Sequence, residues 1–500
     1  MTSQNRSCTY LNILLHITIL LSAIYAIKGI IYAVYIIPPA MGTSPDDMGH
    51  MSYVKFIADN KSLPTLFVSP MDKAIHQSFS ETERGNWKDF PLNLSFQPDT
   101  LLNWIAQHPP LYYLLLVPIY KLATIFTTDL SSVLITLRLF TLTFGILTIF
   151  YLYKLLIITK VKLWISCSIL FTFVFNLSIQ WCFFNVTNDS LLILLSTSSL
   201  YYLLNYTVTN STKDYYLFVI LSALVVLTKY TGIVLLVPFF CFFSYKEITT
   251  NGFKAFLRKI FSGIVIVSVL IIPLLIRNYM FSGDLFPVAH SIIQKNRADI
   301  TIFQFLTQVQ YFDDLYWNIC GLLGWTTFTR ANIFVKMFVA IFVFISGIIS
   351  LSNVREKKKK IIITLLGIAA LIIQYKIFNF FFSTALAMTG ILILTSSNIS
   401  YINTDNHKEY IILFIATAIF YLIILFVQQY NLYLLFGHLR ATHGRYYYIL
   451  FFPICYLIFN QFSKFSPIKT KALSVIYLLL LIILELSFVK DLFSGTLLIS

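Results

Sequence analysis

Pro38-Pro39-Ala40-Met41-Gly42-Thr43-Ser44-Pro45-Asp46-Asp47-Met48-Gly49-His50 is where the first long apolar run of the chain, Leu11 to Ile37, gives way to acidic residues. That run exceeds the roughly 20 residues that cross a bilayer as a helix. It is too long for a signal-peptide core and has no small-x-small cleavage site, so it reads as a retained first span. Just outside it lie two adjacent carboxylates and a histidine, a group suited to proton transfer at a lipid-water boundary.

The rest of the chain repeats the same alternation. With 58% hydrophobic and 11% charged residues, the 500-residue sequence has too little polar surface to cover a soluble globule. Its apolar runs are long and lack strict period-2 alternation, which predicts an all-α polytopic membrane protein rather than a barrel. The net charge of +15 does not point to nucleic acid. Lysines and arginines gather in short blocks between runs, densest at Arg355-Glu356-Lys357-Lys358-Lys359-Lys360, a pattern that sets orientation. The six cysteines show no metal-type spacing and read as packing residues. There is no P-loop, dinucleotide fingerprint, His-Glu-x-x-His or nucleophile elbow, so no nucleotide cofactor is expected.

Counting runs gives about 13 crossings, with every dense basic block on the cytoplasmic side. Lys28 lies inside the first span and reads as snorkelling toward an interface. Residues 38–131 form a first outer loop, in which His108-Pro109-Pro110-Leu111-Tyr112-Tyr113 to Phe126 is too short for a full span and reads as an interfacial amphipathic helix. Leu163–Trp181 and Leu191–Tyr206 are expected as a pair of spans joined by an outer tip, Asn185 to Ser190. Thr228-Lys229-Tyr230-Thr231 is the tip of the next pair, and 277–331 is a second outer segment. A run at Tyr447–Phe459 and a last one at Ser474–Val489 complete the bundle, with no separate soluble domain expected.

This parity brings Asp46, His108, Asp189, Lys229, Arg277 and Arg445 out on one face, the outer one. Each has an ordinary explanation. Asp46-Asp47 with His50 can be an acidic helix N-terminus, Asn188-Asp189 a cap, and Lys229 a snorkelling lysine. Together they set several cations, Lys229, Arg277, Arg440 and Arg445, against few carboxylates at one interface, which suits a phosphate or pyrophosphate headgroup. The aromatic, glycine-bearing stretch Tyr316 to Trp325 is explained by an aromatic belt.

In the order Pro45-Asp46-Asp47 with Gly49-His50, His108 to Tyr113, Asn188-Asp189-Ser190-Leu191, Leu227 to Gly232, Arg277-Asn278-Tyr279 and Gly444-Arg445-Tyr446, the sequence resembles the GT-C superfamily of polyprenyl-phosphate-dependent glycosyltransferases. The likeness is to the bacterial relatives of protein O-mannosyltransferases and of the lipid A aminoarabinose transferase, glycosyltransferase family 39-like. It implies a GT-C bundle in a bacterial inner membrane, a lipid-linked sugar donor, an inverting transfer to a lipid, glycan or protein acceptor on the periplasmic side, and an acidic residue of the first outer loop as the catalytic group. That role falls on Asp46, or on Asp47, which stands where the family more often has Glu. On this reading some of His108, Lys229, Arg277 and Arg445 grip the donor phosphate, and His50, Asp189 and His443 are further candidates. No metal ligands are assigned, and participation of a divalent ion stays open. The rival reading is a transporter or flippase for a lipid-linked or anionic solute, which internal repeats and mid-membrane ionisable groups would favour. A non-catalytic membrane scaffold is the third.

Overall fold

The computed structural model describes residues 3–36, 47–66, 68–75, 102–287, 298–309, 311–320, 333–378, 380–401, 408–437, 439 and 444–493. Asp46, Arg440 and His443 fall outside them. Among the described residues the chain is a helical bundle whose only β-type pairing is an isolated bridge, Pro70 to Leu102. Helices long and apolar enough to cross a membrane are Tyr10–Tyr35, Leu130–Ile158, Asn188–Thr209, Gly232–Asn251, Phe253–Ser282 and Lys408–Phe436. The protein is an all-α polytopic membrane protein, because a chain surrounded by lipid must satisfy its backbone groups within each spanning segment.

We number the helices in chain order. The first span is α1 (Ser3–Ile31), which runs on through a π-turn at Tyr32–Ile36. After it come α2 (Asp47–Asn60), α3 (Leu111–Phe126) and α4 (Leu130–Ile158). Asp129 caps α4 by accepting from the backbone N–H of Ser131 and Ser132. Next are α5 (Leu163–Phe175), α6 (Leu177–Phe184), α7 (Asn188–Thr209), α8 (Thr212–Thr228), α9 (Gly232–Asn251) and α10 (Phe253–Ser282). Short helices α11 (Ile302–Gln308) and α12 (Tyr311–Cys320) precede α13 (Ile333–Ser352), α14 (Lys357–Lys376), α15 (Phe382–Tyr401) and α16 (Lys408–Phe436). A 3-10 turn at Gly444–Leu450 leads into α17 (Phe451–Phe459), and α18 (Pro467–Phe493) is last.

Burial follows the lipid-facing geometry. Only 6% of the most apolar window of α10 is covered, so Phe261, Ile264, Val269 and Ile276 face outward where a soluble protein would carry charge. α7 is the opposite, 72% covered, and is the central helix of the first half. Tyr25 of α1 packs on Phe173, Phe183 and Phe184. It sits so close to Gly145 of α4 that a Cβ there would lie 2.2 Å from its hydroxyl.

Several expectations change. The run at Leu163–Trp181 is not one helix: Asn176 is extended at φ −86°, ψ 107°, and its side chain accepts from Ile179 N–H to start α6 afresh. One amide side chain offering the backbone a local partner is enough to interrupt the run. Tyr447–Phe459 begins as the 3-10 turn rather than as α-helix. Lys28 does not snorkel. Its ammonium donates to Glu485 of α18 at 2.6 Å and to the carbonyl of Val174 at 2.9 Å. Along α3, Tyr112, Tyr113, Leu116, Tyr120 and Ala123 are buried while Leu114, Leu122, Ile125 and Phe126 are exposed, so both faces of this short helix are largely apolar.

Candidate active site

α2 opens on Asp47, which is fully buried. As an acid in the first turn it complements the positive end of the helix. Its carboxylate also accepts from Arg138 of α4 at 2.8 Å through Oδ2 and from the backbone N–H of Val186 at 3.1 Å through Oδ1. Arg138 is likewise 0% exposed. A charge pair this deep persists only because each partner replaces the other's lost water.

Val186 belongs to the segment between α6 and α7, expected as an outer tip between two spans. In it Asn185, Val186, Thr187, Asn188, Asp189 and Ser190 are all buried. Thr187 caps α7 by accepting from the backbone N–H of Asp189 at 3.3 Å. The Asp189 carboxylate accepts from Lys229 at 2.6 Å, and Arg445 Nε lies 3.7 Å from its other oxygen. The Tyr446 ring completes this group, 4.8 Å from the Lys229 ammonium and 5.5 Å from the Arg445 guanidinium. Tyr446 is itself held from behind, its carbonyl accepting from the Tyr421 hydroxyl at 2.8 Å.

A third group ties the loop before α3 to α2. His50 Nδ1 and the Tyr113 hydroxyl are 3.0 Å apart, and the His50 ring stacks on those of Tyr113 and His108. Asn103 donates to the Gly49 carbonyl at 3.1 Å, and Tyr53 donates to the His108 carbonyl at 3.2 Å. Burial raises the Tyr53 hydroxyl above its ordinary pKa, with Arg277 pulling the other way, so it stays a proton donor.

Thus Asp47, Asp189, Lys229 and Arg445 come together from separate helix ends around residues 186–189, with His50 and His108 on the α2 side. Arg277 is placed differently. Its Nη2 donates to the carbonyls of Leu63 and Pro64 at 2.7 and 3.0 Å, so it holds the first loop rather than the Asp189 group. Among the described residues, no three His, Cys, Asp or Glu side chains gather into a metal-holding set. The described side chains of the group offer cations, carboxylates and aromatic faces.

Residues 107–276 match the family model of dolichyl-phosphate-mannose-protein mannosyltransferases. The match supports the GT-C glycosyltransferase superfamily. It begins one residue before His108, takes in Arg138, Asp189 and Lys229, and ends one residue before Arg277. Asp47, His50 and Arg445 lie outside the matched segment but within hydrogen-bond or ion-pair reach of residues inside it. No curated protein and no solved structure matches the chain.

Sequence reasoning passed over two members of this site. Arg138 is one, although an arginine inside an apolar run is a signal that a buried partner exists. Val186 carried no signal at all, since its contribution is a backbone N–H.

Proposed function

We propose that the protein is a membrane glycosyltransferase that moves a sugar from a polyprenyl-phosphate donor to an acceptor hydroxyl or amine at the outer face. The observation that carries this reading is the Lys229–Asp189–Arg445 group under the Tyr446 ring, built within and beside the segment that matches the family model. An ammonium and a guanidinium side by side suit a phosphodiester, whose negative charge grows as the sugar departs.

In the proposed step, the acceptor gives its proton to Asp46 while its oxygen or nitrogen bonds to the anomeric carbon. The bond from that carbon to the phosphate oxygen breaks on the opposite side, its electron pair leaves with the polyprenyl phosphate, and configuration inverts. Arg445 and Lys229 stabilise the departing phosphate, and His108, whose ring stacks on that of His50, adds a further donor. Asp47 is the residue we assign to positioning. Arg138 and Val186 engage its two carboxylate oxygens, and it is fully buried. That supports its neighbour Asp46 as the carboxylate that meets substrate. Arg277 is assigned to anchoring the first loop.

Reconstituted vesicles supplied with polyprenyl-phosphate sugars test the reading against its transport rival. The expected result is a covalent glycosylated product and free polyprenyl phosphate. Movement of intact donor across the vesicle wall without a product would replace this reading with the transporter.

A further inference from the structure

Two ionisable side chains outside the candidate site lie deep in the bundle. Lys28 of α1 and Glu485 of α18 pair at 2.6 Å, with side chains only 15% and 10% exposed. Tyr32 donates to the other Glu485 oxygen at 3.1 Å, and the Lys28 ammonium lies 4.4 Å from the centre of the Phe175 ring. A charge pair in a lipid-surrounded bundle is costly, and packing alone would be served as well by two apolar residues. The third partner of Lys28 distinguishes this pair from a packing contact.

That partner is the carbonyl of Val174, at the broken end of α5. In an unbroken helix it would accept from the N–H four residues on, and the extended conformation of Asn176 takes that bond away. Two donors replace it: the Lys28 ammonium and the side-chain amide of Gln180, which reaches back from α6. A cation at a helix C-terminus is favoured by both the free carbonyl and the helix dipole. Beyond the break, α6 runs to Phe184 and hands the chain to the segment that donates Val186 N–H to Asp47 and presents Asp189 to Lys229.

We propose that Lys28 and Glu485 are positioning residues of the candidate site, clamping the Val174 carbonyl at the α5–α6 break and so fixing where α6 delivers residues 186–189. The clamp ties the first and last described spans to the centre of the site. Its effect on transfer rests on the function proposed above; its effect on α6 does not.

The test uses native Cys182, buried on α6, as the sole cysteine of the full-length chain in membranes, the other five being replaced by alanine. Lys28→Met/Glu485→Leu removes both charges and leaves apolar packing, a change that buried pairs tolerate. N-ethylmaleimide should label Cys182 about tenfold faster in this variant, the factor expected from losing one hydrogen bond to a charged group. A matched protein keeping only Cys167, buried on α5, should label no faster with the same two substitutions. Lys28→Arg, which keeps a cation at the carbonyl, should hold Cys182 at the parent rate.

Should the apolar pair fail to accumulate, Lys28→Gln/Glu485→Gln removes the ammonium while keeping polarity, with the same labelling expected. Unchanged labelling of Cys182 in a folded variant overturns the proposal. So does equal acceleration at Cys167, which would mean general loosening. In the transfer assay kcat should fall about tenfold in the double variant and recover in Lys28→Arg. A parent protein without transferase activity would sink the proposed function and leave the labelling result to decide this one.

Discussion

The first ten helices and the α13–α15 pair solve the same problem, holding helices together in lipid, in opposite ways. Around the site, buried charges meet across the bundle: Arg138 with Asp47, Lys229 with Asp189, and Lys28 reaching to Glu485. Between α13 and α15 the backbones themselves touch. A Cβ on Gly390 would lie 2.7 Å from the Phe344 Cα, and one on Gly347 would lie 2.7 Å from the Gly390 carbonyl oxygen. Small residues that let backbones approach closely are an inexpensive way to associate helices in a membrane, whereas buried charge is a costly one. Of these charges Arg138, Asp189 and Lys229 lie within the segment that matches the family model, Asp47 pairs with one of them, and Lys28 and Glu485 lie outside it. The difference teaches that the region holding the candidate site is joined by buried charge, and the glycine-packed pair by close backbone approach.

The largest effect expected from that contrast is at Arg138. Arg138→Leu leaves Asp47 buried without its cation and should cost about 3–5 kcal/mol of stability, seen as a loss of folded protein in thermal unfolding. Asp47→Leu/Arg138→Leu should recover most of that stability but not transfer. Recovery of both would erase the distinction between the two regions.

Gly390→Leu forces a side chain into backbone contact and should destabilise by about 1–3 kcal/mol, while turnover per folded molecule stays at the parent value. A drop in turnover would tie the glycine-packed pair to the chemistry. Arg445→Ala should leave unfolding unchanged and raise the KM for donor roughly tenfold or more, as for loss of a charge-assisted hydrogen bond.

The smallest effect is at the start of α4. Asp129→Ala removes the α4 cap, worth about 1 kcal/mol. Hydrogen bonds from the Ser132 hydroxyl and backbone hold the Asp129 carboxyl below its ordinary value. Because its folded pKa is depressed, its stabilisation is complete above the unfolded value of about 3.9 and is lost as pH falls through the lower folded one. Acid unfolding of parent and Asp129→Ala should therefore converge at low pH.

Much of the fold was legible because apolar runs of bilayer length leave few alternatives. The candidate site was legible in part, since Asp189, Lys229 and Arg445 stand at the polar ends of those runs, where a charged residue is conspicuous. The partner choices were not. Nothing local to Asp47 points to Arg138, and Lys28 and Glu485 are paired only by the packing of the first and last described spans. The break at Asn176 turned on one capping side chain inside a run whose hydrophobicity hardly changes. Arg277 is conspicuous in sequence, but its two loop-carbonyl partners could not be read there.

The proposed mechanism stands most directly on Asp46. Purified Asp46→Asn protein in lipid, given a polyprenyl-phosphate sugar and acceptor, should bind donor with parent affinity and unfold at the parent temperature, yet form no detectable product in a single turnover. Product formed at the parent rate by that variant would contradict the assignment of the acceptor-activating carboxylate and with it the mechanism.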